Sequence, residues 1–331
     1  MPSTLERRDL PSAVIELNSV LGNEIINESW SVMTEHCRIE LENRGILAVA
    51  GGDAAEFLQG LVSNDIALVG EARTVYAALL TPQGKFLHDF IIARWDGAFL
   101  LDCEAARLMD LGGRLGAYRL RADIELLDAT EDWRVVALLG EGAGAQFGLK
   151  EADPGTAAPL AGGGLIYRDP RPQMPGLRAL LPREAGFAPL AAAEFSNGTA
   201  TDYERARIAA GVPDGSRDMT VGKATLIEFG FEALHGVDFQ KGCYVGQELT
   251  ARTKYRGLVR RQLRRVLVDG ALPPPGTPVM ANGKEAGVIC SGLENQALAL
   301  LRLDRSAEAE AAGIPLTAGK ATLRLAENAA A

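Results

Sequence analysis

Short apolar runs separated by turn-forming residues constrain the fold of this chain more than any other feature. Val75 to Leu80 and Phe86 to Arg94 read as strands, and the segment Thr81 to Lys85 between them contains both a proline and a glycine. Proline fixes φ and glycine accepts positive φ, so this segment favours a turn between antiparallel strands. Asp96-Gly97 is a second hairpin signal, which precedes the run Ala98 to Cys103.

Helical patterns occur between these runs, so the chain is predicted to be an α+β protein. One helix face is formed by apolar residues at helical spacing, namely Leu108, Leu111, Leu115 and Tyr118. Two pairs, Asp53 with Glu56 and Thr201 with Glu204, have the spacing of capping boxes and predict helix starts. From Leu258 onward, short strands broken by proline and glycine turns predict a C-terminal β-barrel.

The overall composition excludes several classes of protein. A formal net charge of -9 argues against polyanion binding by the whole surface. Four cysteines lie far apart in the sequence, which predicts neither a disulfide framework nor a metal site within this chain alone. No apolar run reaches the roughly 18 residues of a membrane span, so a soluble protein without membrane contact is expected.

The first 32 residues are harder to interpret. They are predicted to be a poorly packed N-terminal extension, and the alternative is a docked helix. Their two basic and five acidic residues, with no apolar core, fit neither a transit nor a secretory peptide, so the predicted location is cytoplasmic.

The segment Lys241-Gly242-Cys243-Tyr244-Val245-Gly246-Gln247-Glu248 carries the strongest chemical signal. A helix is predicted to open near Gly246, so Cys243 would lie close to a helix N-terminus and to Lys241. Both features favour a thiolate, which makes Cys243 and Lys241 the predicted functional pair. The alternative is a buried structural cysteine between two glycines that are needed for their φ angles.

This octapeptide resembles the signature of the YgfZ-type folate-binding proteins, relatives of the glycine-cleavage T-protein that act in iron–sulfur protein maturation. The resemblance also covers Gly51 to Gly60, the turn Thr81 to Phe86 followed by Asp89, the segment Tyr203 to Pro213, and Ala251 to Gly257. It therefore runs from about Glu40 to the C-terminal barrel.

The resemblance implies a three-domain, T-protein-like ring with a C-terminal β-barrel around a central folate pocket. After the extension at residues 1–32, the expected parts are an N-terminal folate-binding lobe at 33–119 with 196–252, a second α+β lobe at 120–195, and a β-barrel at 253–331.

The implied cofactor is tetrahydrofolate or a derivative. Tyr203 and Arg44 are expected to lie against its flat ring, and Asp89 to match an acidic residue of the T-protein near the reactive folate nitrogen. The T-protein has two acidic residues in succession where this chain has His88 beside Asp89, and this difference weakens an assignment as a methylene-transfer enzyme. We call the octapeptide around Cys243 the motif loop. Its residues Tyr244, Gln247 and Glu248 would fix the backbone around Cys243. Gly242, Gly246 and Arg252 complete the set of motif residues that the resemblance implies.

A basic strip extends from Leu249 to Val268. It contains seven cations and no acidic residue, namely Arg252, Lys254, Arg256, Arg260, Arg261, Arg264 and Arg265. Such a strip could bind a folate polyglutamate tail, an RNA backbone or an acidic face of a maturation partner. It could also be an exposed barrel edge that charge protects from aggregation.

The leading hypothesis is a tetrahydrofolate-binding accessory protein that supports iron–sulfur cluster assembly or repair in client enzymes through Cys243, without an established turnover reaction. Its expected partners are folate and iron–sulfur client or maturation proteins, with tRNA involved at most indirectly. One alternative is a tetrahydrofolate-dependent aminomethyltransferase or demethylase, which would be a one-carbon transferase. Another is a binding protein associated with tRNA modification.

Overall fold

The computed structural model describes residues 36–149, 152–255, 257 and 259–326. The predicted extension at residues 1–32 lies outside this part. The strands are β1 (Cys37–Glu40), β2 (Arg44–Ala50), β3 (Val75–Leu80), β4 (Phe86–Trp95), β5 (Ala98–Glu104), β6 (Glu125–Asp128), β7 (Trp133–Leu139), β8 (Ala157–Pro159), β9 (Leu165–Arg168), β10 (Leu177–Pro182), β11 (Ser196–Asn197), β12 (Arg261–Asp269), β13 (Pro278–Ala281), β14 (Lys284–Leu293), β15 (Gln296–Arg302), β16 (Leu316–Ala318) and β17 (Ala321–Leu325).

The helices are α1 (Ala54–Gln59), α2 (Leu108–Tyr118), α3 (Ala200–Ala209), α4 (Gly215–Asp218), α5 (Gln247–Tyr255) and α6 (Leu303–Ala311). The two predicted hairpins and the helix at Leu108 are confirmed. In the described part of the chain, no helix is long and apolar enough to cross a membrane.

A five-stranded sheet in the order β3-β4-β5-β2-β6 forms the first layer. Side chains along β2 alternate between the two faces of this sheet. Leu47 and Val49 pack into the apolar cluster that contains the buried face of α2. Ile46 and Ala48 pack into a different cluster, which includes residues of the second sheet. The first sheet is therefore covered by helices on one side and by the second sheet on the other.

The second sheet has six strands in the order β11-β1-β7-β10-β9-β8. Strand β1 of this second sheet comes from residues that were assigned to the N-terminal lobe. Strand β6 of the first sheet comes from residues that were assigned to the second lobe. Between residues 120 and 195, the described helical segments are single 3-10 turns. The predicted domain boundaries stay predictions.

The C-terminal strands form a closed barrel in the order β12-β15-β14-β13-β16-β17. Pairing of β12 with β17 closes it, and its interior is filled mainly by alanine, valine and leucine side chains. A closed sheet leaves no edge for aggregation, which fits the many short strands seen in the sequence. The predicted barrel is confirmed.

Both predicted capping boxes are wrong in detail. Asp53 precedes α1, but its carboxylate accepts a hydrogen bond from the backbone of Asp123 and makes no capping bond to the helix. In α3 the capping residue is Thr199, whose partner in a true capping box is Asp202. The start of this helix carries several polar residues within a few positions, and the backbone geometry selects Thr199 rather than the predicted Thr201.

Buried charges connect the two sheets. Asp102 on β5 is fully buried and accepts hydrogen bonds from Arg44 Nε on β2 at 2.6 Å and from Arg178 Nη1 on β10 at 2.5 Å. The Arg178 guanidinium also contacts Asp169 at 3.3 Å. A carboxylate of the first sheet thus binds an arginine of the second sheet.

Asp102→Asn is expected to destabilise the protein by about 3–5 kcal/mol, because it leaves two buried guanidinium groups without their shared counter-charge. Urea unfolding followed by circular dichroism measures this loss. The control is Asp304→Asn, which removes the exposed ion pair with Arg302 and should leave the unfolding midpoint nearly unchanged. Equal effects of the two variants would contradict a special role for the buried carboxylate.

Candidate functional site

A small central cavity lies where the two sheets meet α3. The residues that line it are predominantly charged or aromatic: Asn43, Arg44, Tyr76, Asp89, Ile91, Arg171, Arg178, Tyr203 and Asp214. Its free volume is about 10 Å³, close to what one water molecule needs. Arg44, Asp89 and Tyr203, which were predicted to share a site, are therefore brought together.

Arg44 and Tyr203 are engaged by protein groups at this cavity. The Arg44 side chain is held by the carboxylate and the backbone oxygen of Asp102. Burial alone would lower the pKa of Arg44, but the negative charges of Asp102 and Asp89 outweigh it and raise the pKa. The Tyr203 hydroxyl accepts a hydrogen bond from Arg178 Nη2 at 2.5 Å. Each predicted stacking partner is thus part of a buried ionic network.

Asp89 is different, because half of its carboxylate is unsatisfied. It lies in the middle of β4 and is buried, with Oδ2 accepting a hydrogen bond from the Tyr76 hydroxyl at 2.8 Å. Its Oδ1 has no hydrogen-bond partner. Burial raises the pKa of Asp89 to about 6, although the Arg44 charge acts in the opposite direction. A buried acceptor next to a small cavity suits a ligand or water that offers an N–H or O–H donor.

His88 does not extend this site. Neighbouring residues of a strand point to opposite faces, and the Nε2 atom of His88 lies 2.8 Å from Asp110 on α2. Burial and the nearby Arg107 charge lower the pKa of His88 to about 4, so it is neutral near pH 7. The histidine therefore belongs to the helix-covered face of the sheet.

Sequence reasoning missed several residues of the network. Asp102 and Arg178 each interrupt an apolar strand, at Leu101-Asp102-Cys103 and Leu177-Arg178-Ala179. A lone charge in a buried strand demands a buried partner, so this signal was available. Arg171 and Asp169, which pair at 2.7 Å, lie in a proline-rich loop where no periodicity predicts burial.

The cavity does not fit tetrahydrofolate with the side chains in this arrangement. The free Asp89 Oδ1 would match the N–H edge of a pterin, but a bicyclic ring needs far more room than one water molecule. Arg44 and Arg178 line the cavity, and Asp102 fixes both of them. The cofactor stays a prediction of the family resemblance.

The motif loop forms a second site on the surface. Cys243 is exposed, as predicted, whereas the other three cysteines, Cys37, Cys103 and Cys290, are buried. Burial raises the pKa of Cys103 and of Cys290 to about 12, which keeps both as unreactive thiols. Cys243 is not among the residues that line the central cavity.

Lys241 anchors this loop to α1. Its ammonium group donates hydrogen bonds to the backbone oxygens of Gln59 at 2.7 Å and Val62 at 2.6 Å. The Gln59 side chain returns a bond to the Lys241 carbonyl at 3.1 Å. Burial lowers the pKa of Lys241 to about 8, partly offset by Asp65 and Asp238. These hydrogen bonds position the backbone before Cys243, and the predicted role of Lys241 in tuning the thiol stays a prediction.

Glycines and a tyrosine fix the loop on the other side of Cys243. Gly246 has a φ of 85° and packs so tightly that a Cβ atom would lie 2.4 Å from the Thr81 oxygen. Gly242 also has positive φ, at 93°. Tyr244 is buried, with its ring 5.0 Å from the Lys241 nitrogen. The predicted helix then begins at Gln247, and Glu248 and Arg252 of α5 are exposed.

The basic strip is partly neutralised by acidic residues from outside it. Lys254 pairs with Glu232 at 2.6 Å, and Arg261 pairs with Glu228 at 2.9 Å. Arg265 donates to the Ala209 oxygen. Among the described residues, no three His, Cys, Asp or Glu side chains are grouped as metal ligands would be.

Comparisons with known proteins identify two family models in the chain. Residues 10–146 match the GCVT N-terminal domain, and residues 260–330 match the C-terminal β-barrel domain of CAF17. The iron–sulfur cluster assembly factor IBA57, mitochondrial, of Mus musculus is 34% identical over 284 residues, covering 79% of this chain and 76% of that protein. Its Homo sapiens counterpart is 35% identical over 281 residues, with the same coverage.

A fungal relative, the IBA57 homolog of Mycosarcoma maydis, is 31% identical and covers 80% of this chain and 73% of its own. All three relatives are named as mitochondrial. The prediction of a cytoplasmic protein, which came from the charge pattern of residues 1–32, is contradicted by these names and is therefore wrong.

Among solved structures, the glycine cleavage system aminomethyltransferase T from Bartonella henselae has a similar fold. The TM-score is 0.69 at 19% identity, over 89% of this chain and 85% of that chain. Together with the closed barrel, this likeness confirms the predicted T-protein-like α+β fold.

Asp89→Asn is expected to flatten the pH dependence of stability. The pKa of Asp89 is about 6 in the folded chain, above its ordinary value of 3.8. Between pH 3.8 and pH 6 the folded chain therefore holds a proton on Asp89 that the unfolded chain has lost. Stability consequently falls as the pH rises through this range. The native chain should lose about 2 kcal/mol through this group between about pH 4.5 and pH 7.5. Urea unfolding at both pH values measures the loss, with Asp269→Asn on the barrel surface as control. An unchanged pH dependence in Asp89→Asn would contradict the assignment.

Calorimetric titration with tetrahydrofolate tests the cavity directly. We expect little or no binding heat from the native chain, because the cavity between the fixed side chains of Arg44 and Arg178 has a free volume of only about 10 Å³. Heat that disappears in Tyr203→Ala would instead support the family prediction and show that the ionic network opens for the ligand.

Proposed function

Because this chain belongs to the IBA57 family of iron–sulfur cluster assembly factors, we propose that it supports cluster assembly or repair in client proteins through the exposed thiol of Cys243. The observation that carries the proposal is the contrast between this thiol and the three buried ones. A group that handles a cluster must be reachable by a protein or small molecule that brings it. Cys243 is the described cysteine that meets this condition.

The proposed chemistry is ligand exchange at iron. The Cys243 thiolate forms a bond to a cluster iron atom, and a thiolate of the donor, or of a small thiol such as glutathione, leaves the same iron. The proton lost by the Cys243 thiol goes to the departing thiolate, so the step needs neither oxidant nor reductant. One cysteine cannot complete the coordination of a cluster, so the remaining ligands come from a partner protein or small thiols.

Positioning of the thiol is the task of the residues around it. The hydrogen bonds between Lys241 and the end of α1 hold the backbone before Cys243, and the tight packing of Gly246 holds the backbone after it. A thiol on a fixed turn loses little conformational entropy when it binds a large, rigid cluster. The loop is therefore built to present Cys243 outward.

The expected partners are iron–sulfur client or maturation proteins, which follows from what the named relatives assemble. The YgfZ-type assignment within this broader family stays a prediction based on the motif. Likeness to the aminomethyltransferase T extends to the fold, so transfer of an aminomethyl group is not proposed. No chemical step is assigned to folate.

Cys243→Ser is expected to lower the activity of iron–sulfur enzymes in cells that depend on this protein by about tenfold, because oxygen is a poor substitute for a thiolate ligand on a cluster. Enzyme assays on extracts of complemented cells, with protein amounts matched by immunoblot, measure this effect. Cys290→Ala, which alters a buried cysteine, serves as the matched control and should retain activity. Full activity in Cys243→Ser would rule out the proposed role of the thiol.

A further inference from the structure

The helix that follows the motif loop has an exposed face suited to binding a partner. Glu248, Arg252 and Tyr255 are spaced by four and three residues, so they lie on one side of α5, and all three are exposed. Thr250, on the opposite side, is buried. We call the three exposed residues the α5 ridge. At about 1.5 Å per residue the helix is short enough for a single interface to cover the ridge and the loop before it.

Tyr255 is the most unusual member of this ridge. It is 71% exposed, yet its ring is held in place by an edge contact with Phe239, at 6.2 Å between ring centroids. The Lys254 ammonium lies 3.8 Å from the Phe239 ring centroid and 5.8 Å from that of Tyr255. Phe239 precedes Cys243 by four residues, so this contact ties the end of α5 to the start of the motif loop. A large aromatic ring that is both exposed and fixed is typical of an interface anchor.

A basic groove adjoins the ridge. It has a volume of about 330 Å³, and its lining includes Thr253 of α5 together with Arg260, Arg261 and Arg302. Glu228 also lines the groove and pairs with Arg261, and Asp304 pairs with Arg302, so Arg260 supplies the remaining positive charge of the lining. The groove remains positive in a protein whose net charge is -9, and this local reversal of sign favours an acidic partner.

The distribution of charge favours a protein over RNA. Two cations of the strip, Lys254 and Arg261, are already paired with glutamates. Glu248 lies on the ridge itself and would repel the continuous charge of a phosphate backbone, whereas a folded partner can place its carboxylates opposite Arg252 and away from Glu248. A surface that presents Tyr and Arg together is instead typical of protein–protein contacts.

We propose that the α5 ridge and the adjoining groove dock an acidic protein that exchanges a cluster with Cys243. Tyr255 anchors the partner, and Arg252 with Arg260 pairs with its carboxylates. This inference rests on the proposed function, since it names the class of partner that must reach the same thiol.

The experiment separates docking from cluster chemistry. Tyr255→Ala and Arg252→Glu should each lower iron–sulfur enzyme activity in complemented cells by about tenfold, because each removes an interface anchor. The same purified variants should take up a cluster from a glutathione-bound [2Fe–2S] complex as well as the native chain does, since that small donor needs no docking surface. This retained uptake, with an unchanged thermal midpoint, shows that the variants are folded.

Matched controls come from another exposed surface. Tyr118→Ala and Arg121→Glu make the same chemical changes beside the end of α2, and both should leave cellular activity intact. Arg252→Lys, which keeps the charge, should restore most of the activity lost in Arg252→Glu.

The outcomes distinguish the two proposals. Full activity in Cys243→Ser would remove the proposed function, whatever the ridge variants do. A loss in Cys243→Ser together with full activity in Tyr255→Ala and Arg252→Glu would overturn the docking surface alone. Binding of purified tRNA by the native chain, weakened by salt and lost in Arg252→Glu, would assign the surface to RNA instead.

Discussion

The carboxylate of Asp102 is the interaction on which the arrangement of the two sheets depends. It is fully buried and binds one arginine of its own sheet and one of the facing sheet. Apolar contacts between sheets are tolerant of small shifts, whereas a carboxylate shared by two guanidinium groups fixes distance and direction. Removing charges from water is costly, so the network persists because each charge has a partner. Removing any one of these charges would leave its buried partner uncompensated.

The same network determines the chemistry of the central cavity. Three arginines, Arg44, Arg171 and Arg178, reach into the space between the sheets, and their aspartate partners leave a site that is polar yet narrow. Asp89 stands out because the arginines do not satisfy its Oδ1 oxygen. An unsatisfied carboxylate in such surroundings favours protonation or a small hydrogen-bond donor. The T-protein-like fold thus carries a centre that is polar, narrow and lined by paired charges in this arrangement of side chains.

The sequence predicted local structure well, because local signals determine it. The hairpin around Thr81–Lys85 and the helix at Leu108 follow from turn residues and from periodicity within a few positions. The buried network joins Asp102 to Arg178, 76 residues later, and no local pattern specifies such a pairing. For the same reason the cap of α1 was mispredicted, since Asp53 binds Asp123 rather than its own helix. At Cys243 the motif predicted both the residue and its exposure, but the contacts of Lys241 with α1 required the folded chain.

The buried centre and the exposed loop share no residues, but both rest on the hairpin formed by β3 and β4. Gly246 packs against the turn between β3 and β4, the same two strands that carry Tyr76 and Asp89 into the cavity. A cavity ligand that shifted this hairpin would also shift the turn on which the cysteine loop rests. A Cβ atom at Gly246 would collide with the Thr81 oxygen, so the backbone of the cysteine loop lies directly against this turn. The position of the Cys243 thiol therefore depends on the close packing of a single glycine against the hairpin that also lines the cavity.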